Sequence, residues 1–158
     1  MNTAVRSLLT AVCVAAVAGC GSPASDTAFR APNGWKSTPG MLGRFQMWIT
    51  GANDNDRQMV ILVRGDQNMQ VENSQMAAGT RGMHDIKRST VTLCGSQSAD
   101  YFTARGEGGN GSKRVQEAIE GVSASIAGSK YAALYIRPAG MKPDAQAESA
   151  LHSLCPLK

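Results

Sequence analysis

The sequence predicts an α/β domain of the α+β type, an antiparallel sheet with a C-terminal helix stapled to it by a disulfide. Three observations predict it. Short stretches of alternating apolar and polar residues recur along the chain and are joined by Asn/Asp-rich or Gly-rich turns, the pattern of half-buried strands. One stretch near the end instead sets Ala147, Ala150, Leu151 and Leu154 at helical spacing. Cys94 and Cys155 remain as an even pair in a chain whose start reads as an export signal.

That start comes first in order. Arg6 supplies a positive charge, and residues 8–19 form an apolar run that ends at Cys20. Its twelve residues span roughly 18 Å as a helix, well short of the roughly 30 Å of a bilayer core. A removed signal segment over residues 1–19 is therefore expected rather than a transmembrane helix. Val17-Ala18-Gly19-Cys20 resembles the bacterial lipobox, in which the cysteine is lipidated and becomes the mature N-terminus. The competing reading is an ordinary signal peptide cut at an Ala-x-Ala-like site, with Cys20 incidental. Against it stand the position of Cys20 at the end of the apolar run and the Gly/Ser/Pro/Ala-rich stretch that follows. Residues 20–30 are expected to be a flexible, lipid-anchored tether and residues 31–158 one globular domain. Gly21 is not the Asp that would signal inner-membrane retention, so the expected location is the outer membrane, facing the periplasm.

Once Arg6 leaves with the signal segment, 15 basic residues stand against 12 acidic ones. The charges are scattered, without the basic stripe expected of a nucleic-acid binder. The 139 residues after Gly19 suffice for one core. With Cys13 removed and Cys20 lipidated, Cys94 and Cys155 are expected to pair, two buried free thiols being the alternative. His84 and His152 have no CxxC or HxxxH companion, so no metal site is expected.

Residues 31–35 read as a turn that delivers Trp35 onto the domain. Residues 43–50 form a strand with Phe45, Met47 and Ile49 on one side and Gln46, Trp48 and Thr50 on the other. After the turn at 52–56, residues 57–64 form a second, central strand. That turn lacks the Gly and Glu spacing of an EF-hand loop. Residues 65–84 are the least legible, with a short strand or turn near 68–73 and a short helix or irregular loop near 74–82. Residues 87–93 and 99–105 form an antiparallel pair, and 106–113 a Gly-rich loop that fails the phosphate-loop spacing. Residues 115–126 fit a helix in their first half and a strand in their second. Residues 131–137 form a strand stopped by Pro138. Asp144 caps the last helix, whose polar side carries His152.

The entry Pro32-Asn33-Gly34-Trp35, the stretch 121–135 and the closing helix resemble the Mog1/PsbP-like fold. That resemblance implies a central antiparallel sheet with helices packed on its faces over residues 31–157. The family includes photosystem accessory proteins, a nuclear-transport cofactor and bacterial envelope lipoproteins, and it has no common active site to carry over.

The expected function is therefore a non-enzymatic, lipid-anchored accessory or protein-binding module of the cell envelope. Its partners would be the membrane, through Cys20, and another envelope protein; no cofactor is expected. Trp35, Trp48, Tyr101 and Tyr131 are the candidate binding-surface residues. The alternatives are a carrier of a small apolar ligand, with the methionines of the middle segment lining its pocket, and a hydrolase using His84. His84 precedes Asp85, but no G-x-S-x-G elbow accompanies it.

Overall fold

A computed structural model describes residues 22–38, 44–67, 69, 80–109 and 113–158. The export segment, Cys20 and most of the expected 68–82 elements lie outside the described residues. Seven strands follow one another: β1 (Lys36–Thr38), β2 (Phe45–Thr50), β3 (Gln58–Gly65), β4 (Arg81–Leu93), β5 (Gln97–Gly108), β6 (Val115–Ile126) and β7 (Ser129–Pro138). A single α-helix, α1 (Ala145–His152), closes the described fold, and a 3-10 turn, Pro23–Asp26, opens it. The strands form one sheet in the order β1-β2-β3-β7-β6-β5-β4, with every pairing antiparallel.

Alternation explains how the sheet buries both faces. On β7, Tyr131, Ala133 and Tyr135 join the cluster beneath α1, while Ala132, Leu134 and Ile136 join a second cluster on the other face. A strand buried on both sides reads as a continuous apolar run, as in β3, where Val60, Ile61 and Leu62 are all fully buried. Helix α1 behaves as its spacing predicts. Ala147, Ala150, Leu151 and Leu154 are buried, and the Asp144 carboxylate accepts from the N–H groups of Gln146 (2.8 Å) and Ala147 (3.3 Å).

Three expectations are corrected and a fourth, left open between helix and strand, is settled. The first is the tether: residues 22–30 belong to the folded unit. Pro23 and Phe29 are buried, Ala28 N–H donates to the Cys155 carbonyl at 2.8 Å, and Thr27 bridges Pro156. Gly/Ser/Pro composition alone does not register one phenylalanine that docks the whole segment. The second is the start of β4, which lies at Arg81 rather than 87. Its pairing slips twice, between Arg81 and His84 and between His84 and Lys87. Gly82 (φ 59°) and Asp85 (φ 53°) take left-handed conformations there. Each bulge inserts a residue and breaks the period of two by which a strand is recognised.

The third correction concerns residues 106–108, which continue β5 instead of entering a loop. Gly106 and Gly108 are glycines because of close approach: a Cβ would strike Thr80 at the first and Glu117 at the second. The fourth resolves residues 115–126 as one continuous strand, paired on both sides.

Glu117 carries a consequence of that packing. It is 8% exposed and accepts a hydrogen bond from the Thr80 hydroxyl at 3.0 Å. Burial raises its pKa above the ordinary 4.5, against the smaller opposing effect of Thr80. A carboxyl whose folded pKa is raised stabilises the fold fully below the unfolded value, and that contribution is lost as pH rises through the folded value. Glu117→Gln should therefore gain stability relative to the parent as pH rises from 4 to 7. Urea titrations of both proteins across that range check this, and a constant difference between them would refute it.

Candidate functional site

The four aromatic residues singled out for a binding surface do not form one. Trp48 is 6% exposed, its ring 5.3 Å from that of Phe29. Tyr131 is 2% exposed, and its hydroxyl donates to Asp26 at 3.4 Å. Both are core residues, because the face of β2 that carries Trp48 is the one the N-terminal segment covers. Trp35 is half-buried, 6.4 Å from the Tyr135 ring. Tyr101 is also half-buried, but its hydroxyl donates to Glu120 at 3.3 Å.

Cys94 and Cys155 are disulfide-bonded, with Cα atoms 6.1 Å apart. His84 is exposed on β4, its Nδ1 2.9 Å from the Gly82 carbonyl and its Nε2 3.9 Å from Asp85. His152 is exposed at the end of α1. Among the described residues no three His, Cys, Asp or Glu side chains converge as metal ligands, and no helix is long and apolar enough to cross a membrane.

Glu120 leads to the site. Sheet register places Arg105, Ala118 and Arg137 on one rung and Lys87, Thr103, Glu120 and Tyr135 on the next. Along β5, β6 and β7 these residues lie two apart, so they share the face that bears α1. A short side chain at Ala118 between two arginines leaves a depression. The resulting cleft of about 590 Å³ is also bordered by Asp85, Ile86 and Ile119. The second β4 bulge puts Asp85 and Ile86 at its rim, in keeping with the tendency of bulges to re-aim side chains beside sites.

A sheltered ion pair forms the floor. Arg137 Nη2 lies 3.1 Å from Glu120 Oε1, with the two side chains 11% and 14% exposed. The other oxygen of Glu120 accepts from Tyr101. Burial first, and then the neighbouring Glu120 charge, push the Tyr101 pKa up to about 12, so its hydroxyl remains a donor at neutral pH. The Arg137 guanidinium also lies over the Tyr135 ring, 5.5 Å from its centroid. Two of its donors, Nε and Nη1, are buried with no hydrogen-bond partner among the described residues. Lys87 and Arg105 stand exposed at the rim without an ion-pair partner among those residues. The arrangement sets three cationic side chains against two carboxylates around one cleft.

A second cleft, of about 800 Å³, lies over the disulfide and the C-terminal residues, bordered by Arg30, His152 and Lys158. Its charged residues are surface side chains, and among the described residues it has no sheltered ion pair. Arg137 escaped the sequence reading because it sits in an otherwise unremarkable strand. The usable signal was parity: Arg137 shares a face with Tyr135, and Glu120 with Val122. The sequence matches no family model and no curated protein.

Proposed function

We propose that this chain is a lipid-anchored, non-enzymatic accessory or binding module of the bacterial cell envelope that presents the Arg137–Glu120 cleft away from the membrane. Another envelope component is its partner, and the domain is of the Mog1/PsbP-like kind. The seven-stranded antiparallel sheet and its C-terminal helix support that fold reading.

The observation that carries the proposal is how soon folded structure follows Cys20. Ser22, two residues on, already hydrogen-bonds Gln46 on β2. Two residues reach no more than about 7 Å, so a lipid on Cys20 holds the β1–β2 flank against the bilayer. The cleft starts at the central strand β7, which carries Arg137, and extends over β6 and β5 to the far edge strand β4. From β2 to β5 there are four strand spacings in the sheet order, about 19 Å at 4.8 Å each. A domain docked by one flank leaves the other open to a partner. Stable anchoring requires more than one acyl chain, which the lipobox resemblance supplies.

The test is palmitate labelling and membrane fractionation of the full chain expressed in a bacterium. The parent should be labelled and recovered with membranes, and Cys20→Ser should lose the label and leave the membrane fraction. An unlabelled parent would refute the anchor.

A further inference from the structure

We propose that the cleft binds a monocarboxylate with a short apolar body, held by Arg137. The inference rests on the binding-module reading and names the ligand chemistry. Arg137 provides the first argument. A guanidinium has five N–H donors in one plane. Here one nitrogen meets Glu120, while Nε and Nη1 are sheltered from solvent without an acceptor among the described residues. Stacking on Tyr135 covers a face of the group and leaves its in-plane donors unused. Buried donors are almost always satisfied, and leaving one unmade is costly. A carboxylate entering the cleft, which Arg137 lines, takes one edge of the group, Nη1 with the second N–H of Nη2, after a small shift that uncovers it.

Charge and shape select the acceptor. Lys87, Arg105 and Arg137 face Asp85 and Glu120 around the cleft, an excess of one positive charge. That excess suits a single carboxylate better than a dianionic phosphate. The carboxylate is planar and matches the guanidinium fork. Ile86 and Ala118 supply apolar wall, and the cleft volume lies in the range of small-ligand sites. Glu120 acts as a positioning residue: bonded to Arg137 and Tyr101 through its two oxygens, it fixes the guanidinium in place. A free acid and the C-terminal carboxylate of a partner chain present the same group.

The test uses the full lipidated chain in phosphatidylcholine nanodiscs, with ¹⁵N-labelled arginine and empty nanodiscs as the blank. The Arg137 Nε–H resonance is assigned by its loss in Arg137→Lys. Hexanoate should move that resonance saturably, and hexanamide, of similar shape but neutral, should bind about tenfold or more weakly. Arg105→Gln and Lys87→Gln keep the buried pair intact and should each weaken hexanoate about two- to fivefold. Arg30→Gln, at the other cleft, should leave binding unchanged. An acetylated tripeptide ending in a leucine carboxylate, compared with its amide, reports the source: tighter binding than hexanoate assigns the site to a chain terminus, weaker binding to a free acid, and either supports the carboxylate. An unmoved Arg137 resonance, equal binding of hexanamide, or tighter binding of inorganic phosphate overturns the proposal. Because the titration is read on the domain, its failure is distinguishable from loss of membrane retention.

Discussion

Trp48→Ala should destabilise the protein by about 3–5 kcal/mol, the range for truncating a buried tryptophan, and lower its Tm by roughly 10–15 °C. Trp48 lies on β2 paired with Val60 of β3 and Ser37 of β1, so it sits where the sheet narrows to a three-residue edge strand. Its ring packs against Phe29, which is itself 8% exposed. Removing it leaves a cavity and also loosens the apolar hold on residues 22–30. Two measurements check this. Calorimetry should show the fall in Tm, and limited proteolysis should cut residues 22–30 sooner in the variant. Leu157→Ala, at a side chain 59% exposed, should stay within about 0.5 kcal/mol of the parent. A Trp48→Ala effect as small as that of Leu157→Ala would return Trp48 to the role of a surface aromatic.

Legibility in this chain followed the range of the interaction. The β2–β3 hairpin, β7 and α1 were readable because the deciding features are local: alternation, an Asn/Asp turn, and a cap at Asp144 that bonds Gln146 and Ala147. The face on which Trp48 lies was readable too. What covers that face was not, because Phe29 reaches it from outside the strand pattern. Gly106 and Gly108 look like loop residues one by one, and only β6 beside them, with Glu117 turned toward Gly108, explains them. Along β4, Gly82 and Asp85 hid the strand by inserting a residue at each bulge. The cleft was the least legible feature of all. It depends on four strands in register, with Arg105, Ala118 and Arg137 abreast, and no window of one strand contains it.

The double variant Cys94→Ser/Cys155→Ser should lose about 4 kcal/mol, the chain-entropy value for a crosslink spanning 61 residues. The residues around the crosslink explain why it matters here. Cys94 occupies the β4–β5 turn directly after the buried Leu93, and Cys155 follows α1, where its carbonyl also receives the N–H of Ala28. One bond thus ties together the tip of a hairpin, the end of the helix and the N-terminal segment. In the chain-entropy account the stabilisation arises in the unfolded ensemble, which the crosslink keeps compact. The variant should then retain the parent's near-ultraviolet circular dichroism while its urea transition moves to lower concentration and its m value rises, because more surface is exposed on unfolding. Reduction of the parent with dithiothreitol should reproduce the same shift. A lost near-ultraviolet signal would place the effect in the folded state instead, with the helix end released from the hairpin. A loss below about 1 kcal/mol with an unchanged m value would mean that packing of Leu151 and Leu154 alone holds α1 on the sheet.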